Sequence, residues 1–80
     1  ATFNNCVFHD NRTDGIYAFE STIHIHGEAT AMHSNSECGI YASVSGKVII
    51  HLPSHHKTCY NNKEEDRYTL TGGTITNVED

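Results

Sequence analysis

Histidine is the residue type in this sequence with the clearest capacity for metal binding. The chain of 80 residues contains seven histidines. His24 and His26 alternate with isoleucine in the segment TIHIH, and His51 closes the related segment KVIIH. When the two segments are aligned, His51 falls on His26. Imidazole nitrogens bind Zn²⁺, Ni²⁺ and Cu²⁺, so these three residues form a candidate divalent-metal site. The alternative is an outward polar face whose stacking responds to pH.

Three tyrosines also recur in related surroundings. Tyr17 and Tyr41 each stand in a GIYA segment, and Tyr68 stands in RYTL. A row of exposed aromatic rings is a platform for sugar rings or for another protein, which makes these tyrosines candidate ligand-binding residues. The alternative is that tyrosine, a good strand residue, packs against its own neighbours in the row.

The triplet NRT, which begins at Asn11, is an acceptor pattern for N-glycosylation in a secreted chain. Its polar surroundings favour a turn, where the asparagine side chain is accessible. Asn11 is therefore a candidate glycosylation site.

These residues recur because the chain repeats itself. VFHDNRTDGIYAFES, which begins at Val7, aligns without gaps with AMHSNSECGIYASVS, which begins at Ala31. TIHIH aligns with KVIIH one position further along, and a looser third copy with CYNN and RYTLTGG follows. Repeats of about 24–27 residues are typical of proteins in which each repeat stacks on the next. Asn11, Asn35 and Asn61 are then expected to form a ladder of hydrogen-bonded amides.

Within each repeat, short apolar runs alternate with period two, which is the periodicity of β-strands. If successive repeats lie one strand spacing apart, about 4.8 Å, equivalent residues stack in columns. Gly15 and Gly39, which open the two GIYA segments, are expected to occupy turns with positive φ. The expected column pairs are Ile16 on Ile40, Ala18 on Ala42, Phe8 on Met32, His9 on His33, Ile23 on Val48 and Ile25 on Ile50.

The composition excludes several classes of partner. The formal net charge is -5, from five Lys and Arg against ten Asp and Glu, and the basic residues are scattered. This charge balance argues against nucleic acids and anionic membranes as partners. No apolar run approaches the roughly 20 residues of a membrane span. The chain has three cysteines and no CxxC motif. Because three is an odd number, they cannot all form disulfides within the chain, and they are expected to be small, partly buried thiols.

The N-x3-GIYA pattern, the expected asparagine ladder and the closing GGTIT resemble the right-handed parallel β-helix repeat family, which is best known from pectate-lyase-like proteins. The amino-acid sequence of the repeats is also similar to that of uncharacterised β-helix repeat proteins of microalgae. The likeness covers nearly all of the chain. It implies an all-β fold, a right-handed parallel β-helix (solenoid) of about three coils. Residues 1–80 would then form a single segment with coils near 1–23, 24–48 and 49–76.

Enzymes of this family commonly act on acidic polysaccharides, and many hold Ca²⁺ between aspartates on adjacent coils. The acidic residues of this chain are not expected to stack in that way. The run Glu64-Glu65-Asp66 is expected to be a solvated loop. No catalytic residue is therefore assigned.

Together these observations predict a non-catalytic structural protein that acts as a scaffold, an adhesive or a unit of a filament. The repeats are expected to be uncapped, so the expected partners are neighbouring coils of a longer chain or copies stacked end to end. The alternative is a carbohydrate-active module, which would bind a polysaccharide or form part of a lyase or epimerase. No cofactor is expected beyond the metal of the histidine row. An extracellular or cell-surface location is expected from the polar composition, rich in Thr and Asn, and from the resemblance.

Overall fold

The computed structural model describes residues 1–53 and 56–78, which form ten short β-strands joined by turns. The strand segments are rich in β-branched and aromatic residues, and Gly, Asn, Asp and Ser lie between them, which explains why each strand is short. The strands in chain order are β1 (Thr2–Asn4), β2 (Val7–His9), β3 (Ile16–Phe19), β4 (Thr22–His26), β5 (Ala31–His33), β6 (Cys38–Ser43), β7 (Lys47–Ile50), β8 (Cys59–Tyr60), β9 (Glu65–Leu70) and β10 (Thr74–Asn77).

The strands are arranged in three sheets. Sheet A has the order β1-β4-β7-β10, sheet B the order β2-β5-β8, and sheet C the order β3-β6-β9. The chain thus visits the three sheets in turn and returns to sheet A one strand further along. All seven strand pairs among the described residues are parallel. The expected all-β fold with parallel pairing is confirmed.

Three consecutive strands form one row of this arrangement. Row 1 holds β1 to β3, row 2 holds β4 to β6, row 3 holds β7 to β9, and β10 begins row 4. Strand pairing confirms each of the predicted column pairs, including Ile16 on Ile40, Phe8 on Met32 and Ile25 on Ile50. Equivalent residues of successive rows therefore lie on one another.

Residues with a left-handed backbone begin two of the corners, and they follow equivalent strands in every row; after Val44 and Thr71 the next residue, Ser45 or Gly72, also has positive φ. The corner residues after sheet B are Asp10, Ser34 and Asn61, with φ of 56°, 57° and 54°. The corner residues after sheet C are Glu20, Val44 and Thr71, with φ of 52°, 49° and 50°. Left-handed conformation is uncommon in residues other than glycine. Its recurrence in each row shows that the corners are a constant feature of the repeat.

Gly15 and Gly39 do not have positive φ, so that prediction was wrong. The described glycines with positive φ are Gly27 and Gly72, at 95° and 78°. Gly15 and Gly39 are required for space instead. A Cβ on Gly15 would lie 2.7 Å from the carbonyl oxygen of Gly39, and a Cβ on Gly39 would lie 2.6 Å from Nδ2 of Asn62. The next row passes too close to this column for any side chain.

The hydrophobic core lies between the three sheets and follows the period-two alternation of the strands. In β4, Ile23 and Ile25 are buried, whereas His24 and His26 face outward and are half-buried. Complete burial of an isoleucine side chain contributes about 1.5–3 kcal/mol. The buried core residues are Ile16, Ala18, Ile23, Ile25, Met32, Ile40, Ala42, Val48, Ile50, Leu52 and Cys59.

Row 3 of sheet C departs from this apolar pattern. Arg67 pairs with Ile40 and Thr69 pairs with Ala42, so polar side chains occupy the columns that are apolar in rows 1 and 2. Arg67 Nη1 donates a hydrogen bond to Oδ1 of Asn77 at 2.7 Å. The prediction of a loop at residues 64–66 was wrong in part, because Glu65 and Asp66 begin β9.

Candidate functional site

The asparagine column forms a continuous chain of side-chain hydrogen bonds. Asn11 Nδ2 donates to Oδ1 of Asn35 at 2.8 Å, and Asn35 Nδ2 donates to Oδ1 of Asn62 at 2.9 Å. Asn62 Nδ2 in turn donates to Oδ1 of Asp66 at 3.0 Å. The ladder was predicted with Asn61 as its third member, which was wrong. Asn61 is the corner residue that follows Tyr60, and its neighbour Asn62 completes the ladder.

The same amides also bind the backbone of the corners. Asn35 Oδ1 accepts a hydrogen bond from the backbone N–H of Asn11 at 3.2 Å, and Asn62 Oδ1 accepts one from the N–H of Asn35 at 3.1 Å. Asn62 Nδ2 donates to the carbonyl oxygen of Met32 at 3.1 Å. Asn35 is only 2% exposed. The ladder therefore satisfies backbone groups that burial would otherwise leave without partners.

Asn11, the candidate glycosylation residue, is the first member of this ladder. Its side chain is exposed, but Nδ2, the atom to which a glycan would be attached, already donates to Asn35. Glycosylation of Asn11 remains a prediction, and it would modify an atom that takes part in the ladder.

The three candidate ligand-binding tyrosines lie on one another on the outer face of sheet C. The ring centroids of Tyr17 and Tyr41 are 4.9 Å apart with an interplanar angle of 26°, and those of Tyr41 and Tyr68 are 5.1 Å apart. Tyr17 is 53% exposed and Tyr68 is 41% exposed, whereas Tyr41 is half-buried between them. Desolvation, followed by the neighbouring Tyr17 and Tyr68, raises the pKa of Tyr41. The middle ring therefore has little free face to offer a ligand.

A second outward column on sheet C runs beside the tyrosines. Phe19, Ser43 and Leu70 pair in register, and Phe19 and Leu70 are 49% and 48% exposed. The hydroxyl oxygens of Tyr17 and Ser43 lie 3.2 Å apart and share a hydrogen bond. The outer face of sheet C is thus largely aromatic and apolar.

A cleft lies where sheet C begins, beside the rings of Tyr41 and Tyr68. Its remaining lining residues are Glu37, Cys38, Glu64 and Glu65. The expectation that acidic residues do not stack was wrong for one pair. Glu37 and Glu64 occupy equivalent positions in rows 2 and 3, and the N–H of Glu64 donates to the carbonyl oxygen of Glu37 at 2.9 Å. The cleft therefore combines aromatic rings with three carboxylates.

The thiol beside this cleft is not set up as a nucleophile. Burial of Cys38, together with the nearby carboxylate of Asp14, raises its pKa to about 11. Asp14 Oδ1 also accepts a hydrogen bond from the backbone N–H of Cys38 at 3.0 Å. Burial raises the pKa of the Cys59 thiol to about 11 as well, against the lowering effect of Arg67. The thiolate is the reactive form of cysteine, and a raised pKa disfavours it at neutral pH.

The candidate metal-binding histidines contact one another on the outer face of sheet A. The rings of His26 and His51 stack with centroids 4.1 Å apart and planes at 5°, which confirms the predicted column. His24 Nδ1 and His51 Nε2 lie 3.0 Å apart in a hydrogen bond. One of these two nitrogens must accept, so at least one of the rings is neutral in this arrangement.

Among residues 1–53 and 56–78, no group of three or more His, Cys, Asp and Glu side chains is arranged to hold a metal ion. Metal binding at the three histidines remains a prediction. His55, another of the seven histidines, lies outside the described residues.

A second ring ladder lies on the outer face of sheet B. His9 stacks on His33 with ring centroids 5.1 Å apart, and His33 stacks on Tyr60 at 5.0 Å. His9 Nδ1 also lies 2.5 Å from Oδ2 of Asp10. The stacking of His9 on His33 was predicted, whereas Tyr60 was missed because the third copy of the repeat is divergent.

Two further positions were missed in the sequence. The same number of residues separates Tyr41 from Tyr68, Ile40 from Arg67 and Asn35 from Asn62, so each pair occupies equivalent positions in rows 2 and 3. Applying this spacing throughout the third copy would have identified both residues.

In the part of the chain that the structure describes, no helix is long and apolar enough to cross a membrane.

No protein-family model matches the chain, and no curated protein or solved structure shows a significant match to it.

Proposed function

We propose that the three sheets are the faces of a right-handed parallel β-helix of about three coils, each coil corresponding to one row. The strand order supports this fold, because each sheet takes every third strand and all pairs among the described residues are parallel. The stacked corners and ladders support it further, since a β-helix places equivalent residues one strand spacing apart.

We infer that the role of this β-helix is structural and non-catalytic, as a scaffold or adhesive segment of an extracellular or cell-surface protein. One observation carries the inference: the side chains best suited to bind a ligand are bound to each other. Tyr41 is covered by Tyr17 and Tyr68, His51 contacts His24 and His26, and Asn35 bonds Asn11 and Asn62. Groups used in this way stabilise the stack.

The structural role is tested by measuring fold, assembly and ligand binding on the same preparation. Circular dichroism should give a β-type spectrum, and a glycan array should show no saturable binding. A matched pair of variants makes the test specific: Tyr41→Ala removes the central ring of the ladder, and Tyr60→Ala removes a ring from sheet B. Saturable glycan binding that is lost in Tyr41→Ala but kept in Tyr60→Ala, with both proteins folded, would contradict the structural role.

The alternative function, a carbohydrate-active module, is favoured by the cleft beside Tyr41 and Tyr68. Aromatic rings and carboxylates are groups that bind sugars, through stacking and through hydrogen bonds to hydroxyls. Three carboxylates would repel a polyuronate, so a neutral or amino sugar is the substrate class that this cleft fits. Glu64→Gln should weaken such binding, whereas Glu28→Gln, an exposed residue on another part of the chain, should not.

A further inference from the structure

Three of the four tyrosines of the chain are held against one another by the strand pairing of sheet C. Tyr17 pairs with Tyr41, and Tyr41 pairs with Tyr68, in the register of parallel strands. Side chains at paired positions of parallel strands leave the sheet on the same face, so the hydroxyl ends of neighbouring rings lie on the same side. This contact requires only that β3, β6 and β9 lie side by side, whatever rows precede or follow them.

Tyr17 and Tyr41 are the more nearly parallel of the two ring pairs. Their centroids are 4.9 Å apart and their planes meet at 26°, against 52° for Tyr41 and Tyr68. The hydroxyl of Tyr17 lies 3.2 Å from Oγ of Ser43, which belongs to the same strand as Tyr41. This hydrogen bond holds the Tyr17 ring over row 2. The ring carbons on either side of the two hydroxyls are therefore close together.

The fourth tyrosine, Tyr60, has different neighbours. It lies on sheet B, where it pairs with His33 and stacks on it with ring centroids 5.0 Å apart. In the part of the chain that the structure describes, no second phenol stacks on Tyr60. The chain thus contains an internal control for any reaction that needs two stacked tyrosines.

Two stacked phenols have a specific oxidative chemistry. Loss of one electron and one proton from a tyrosine gives a neutral phenoxyl radical, whose unpaired electron is shared with the ring carbons ortho to the oxygen. Two such radicals in contact form a carbon–carbon bond between ortho carbons. The hydrogen on each joined carbon then moves to the oxygen, which restores both phenols and gives dityrosine. The joined carbons must approach to about 1.5 Å, which rotation about the side-chain torsions of the outward rings allows.

We propose that Tyr17 and Tyr41 form an oxidative cross-linking site, at which hydrogen peroxide and a peroxidase join the two rings as dityrosine. Hydrogen peroxide accepts the two electrons and two protons that the phenols lose and becomes two water molecules. This inference rests on the proposed structural role, because the bond links rows 1 and 2 covalently. It closes the loop of residues 17–41, and such a closure stabilises the folded state by restricting the unfolded chain.

Cys38 is the thiol placed to compete with the phenols for oxidation, because it lines the same cleft as Tyr41. It is only 7% exposed. Burial and the carboxylate of Asp14 raise its pKa to about 11. Oxidation of cysteine follows thiolate character and exposure, and both are low here. The stacked phenols are therefore expected to react in preference to this thiol.

The cross-link is tested by treating the folded full chain with hydrogen peroxide and a haem peroxidase, at a protein concentration low enough to make bonds between chains rare. Wild type should gain dityrosine fluorescence, run as a single chain on a denaturing gel and lose two hydrogen atoms in mass. Proteolytic digestion should give a linked pair of peptides that contain Tyr17 and Tyr41. The urea midpoint of the treated protein should be higher than that of the untreated protein.

Phenylalanine variants make the test specific, because they keep each stacked ring and remove the hydroxyl that the radical needs. Tyr41→Phe should lose the dityrosine fluorescence, and Tyr17→Phe should lose the linked peptides. Tyr60→Phe should keep both. Unfolding wild type in urea before oxidation should remove the preference for this pair, because the stacking of the folded chain sets it.

Dityrosine that forms only between chains, or as readily at Tyr60 as at Tyr17, would overturn the cross-linking site. A linked peptide that joins Tyr41 to Cys38 would also overturn it. A cross-linked protein whose urea midpoint is unchanged would contradict the stabilising effect of the bond. All these outcomes leave the structural role standing, since that role is contradicted by glycan binding that is lost in Tyr41→Ala.

Discussion

Asn62 accepts a hydrogen bond from Asn35 at 2.9 Å and stands directly after Asn61, which takes no part in that ladder. Two adjacent asparagines thus have different roles, one as a ladder member and the other as a left-handed corner.

Asn62→Ala should destabilise the protein by about 1–3 kcal/mol, because it leaves the backbone N–H of Asn35 without a partner and removes one of the two acceptors of the Asn35 side-chain amide. Asn61→Gly is the control, since glycine adopts the same left-handed backbone without strain. Urea unfolding followed by circular dichroism measures both. Equal losses in the two variants would show that the ladder does not distinguish them.

Val44 has φ of 49°, a conformation that is strained for a β-branched residue. Replacement by asparagine, which tolerates this region, should raise the free energy of unfolding by about 1 kcal/mol. In a chain of this size such a gain raises Tm by about 4–8 °C. Thermal unfolding checks it, with Val78→Asn, at an exposed position without positive φ, as the control. A fall in Tm would mean that packing of the Val44 side chain adds more stability than the strained backbone of Val44 removes.

The buried thiols predict how stability depends on pH. Burial raises the pKa of Cys59 from 9.0 to about 11. Well below pH 9.0 the thiol is protonated in both states, so its contribution is constant. Between these values the unfolded chain loses the proton that the folded chain retains, so the contribution falls as pH rises and is lost near the folded pKa.

Other groups titrate in the same range, so the measurement compares two proteins. The difference in free energy of unfolding between wild type and Cys59→Ala should be flat well below pH 9 and should shrink as pH rises through 9 towards 11. Cys6→Ala, which removes a half-buried thiol at the row 1 end, serves as the control. A difference that stays constant through the alkaline range would show that the Cys59 thiol is not held protonated by the fold.

Metal binding by the histidine row on sheet A can be tested by calorimetric titration with Zn²⁺. If His24, His26 and His51 bind the ion, His26→Ala should abolish the heat signal, and His33→Ala, in the separate ladder on sheet B, should leave it unchanged. Equal signals from both variants would place any bound zinc elsewhere. Because His24 and His51 already share a hydrogen bond, zinc binding must displace it.

Much of this arrangement could be predicted because the first two copies of the repeat align without gaps. The constant spacing between these copies placed Ile16 on Ile40 and Tyr17 on Tyr41 in the correct register. The alternation in TIHIH indicated the inward isoleucines and the outward histidines. Period-two patterns and repeats determine which residues share a column, and this information is local to the sequence.

The remaining features depend on how rows contact each other. The corner between sheets C and A is one residue longer in row 2, where Val44-Ser45-Gly46 replaces Glu20-Ser21, so the spacing between copies grows along the chain. A further increase occurs between sheets A and B of row 3, because Ile50 lies 25 residues after Ile25 whereas Cys59 lies 27 residues after Met32. The error at Asn61 arose from this second increase. The role of Gly39 was misjudged because the need for glycine comes from Asn62 in the next row, not from its own backbone angle.

The central claim is that the outward ladders stabilise the stack, and a double-mutant cycle on Tyr17 and Tyr41 tests it most directly. The free energy of unfolding is measured for wild type, Tyr17→Ala, Tyr41→Ala and the double variant. The stacked rings predict coupling: the double variant should lose less stability than the two single losses combined, since either substitution already removes the shared contact. Strictly additive losses would contradict the claim and would leave the tyrosines free for another role.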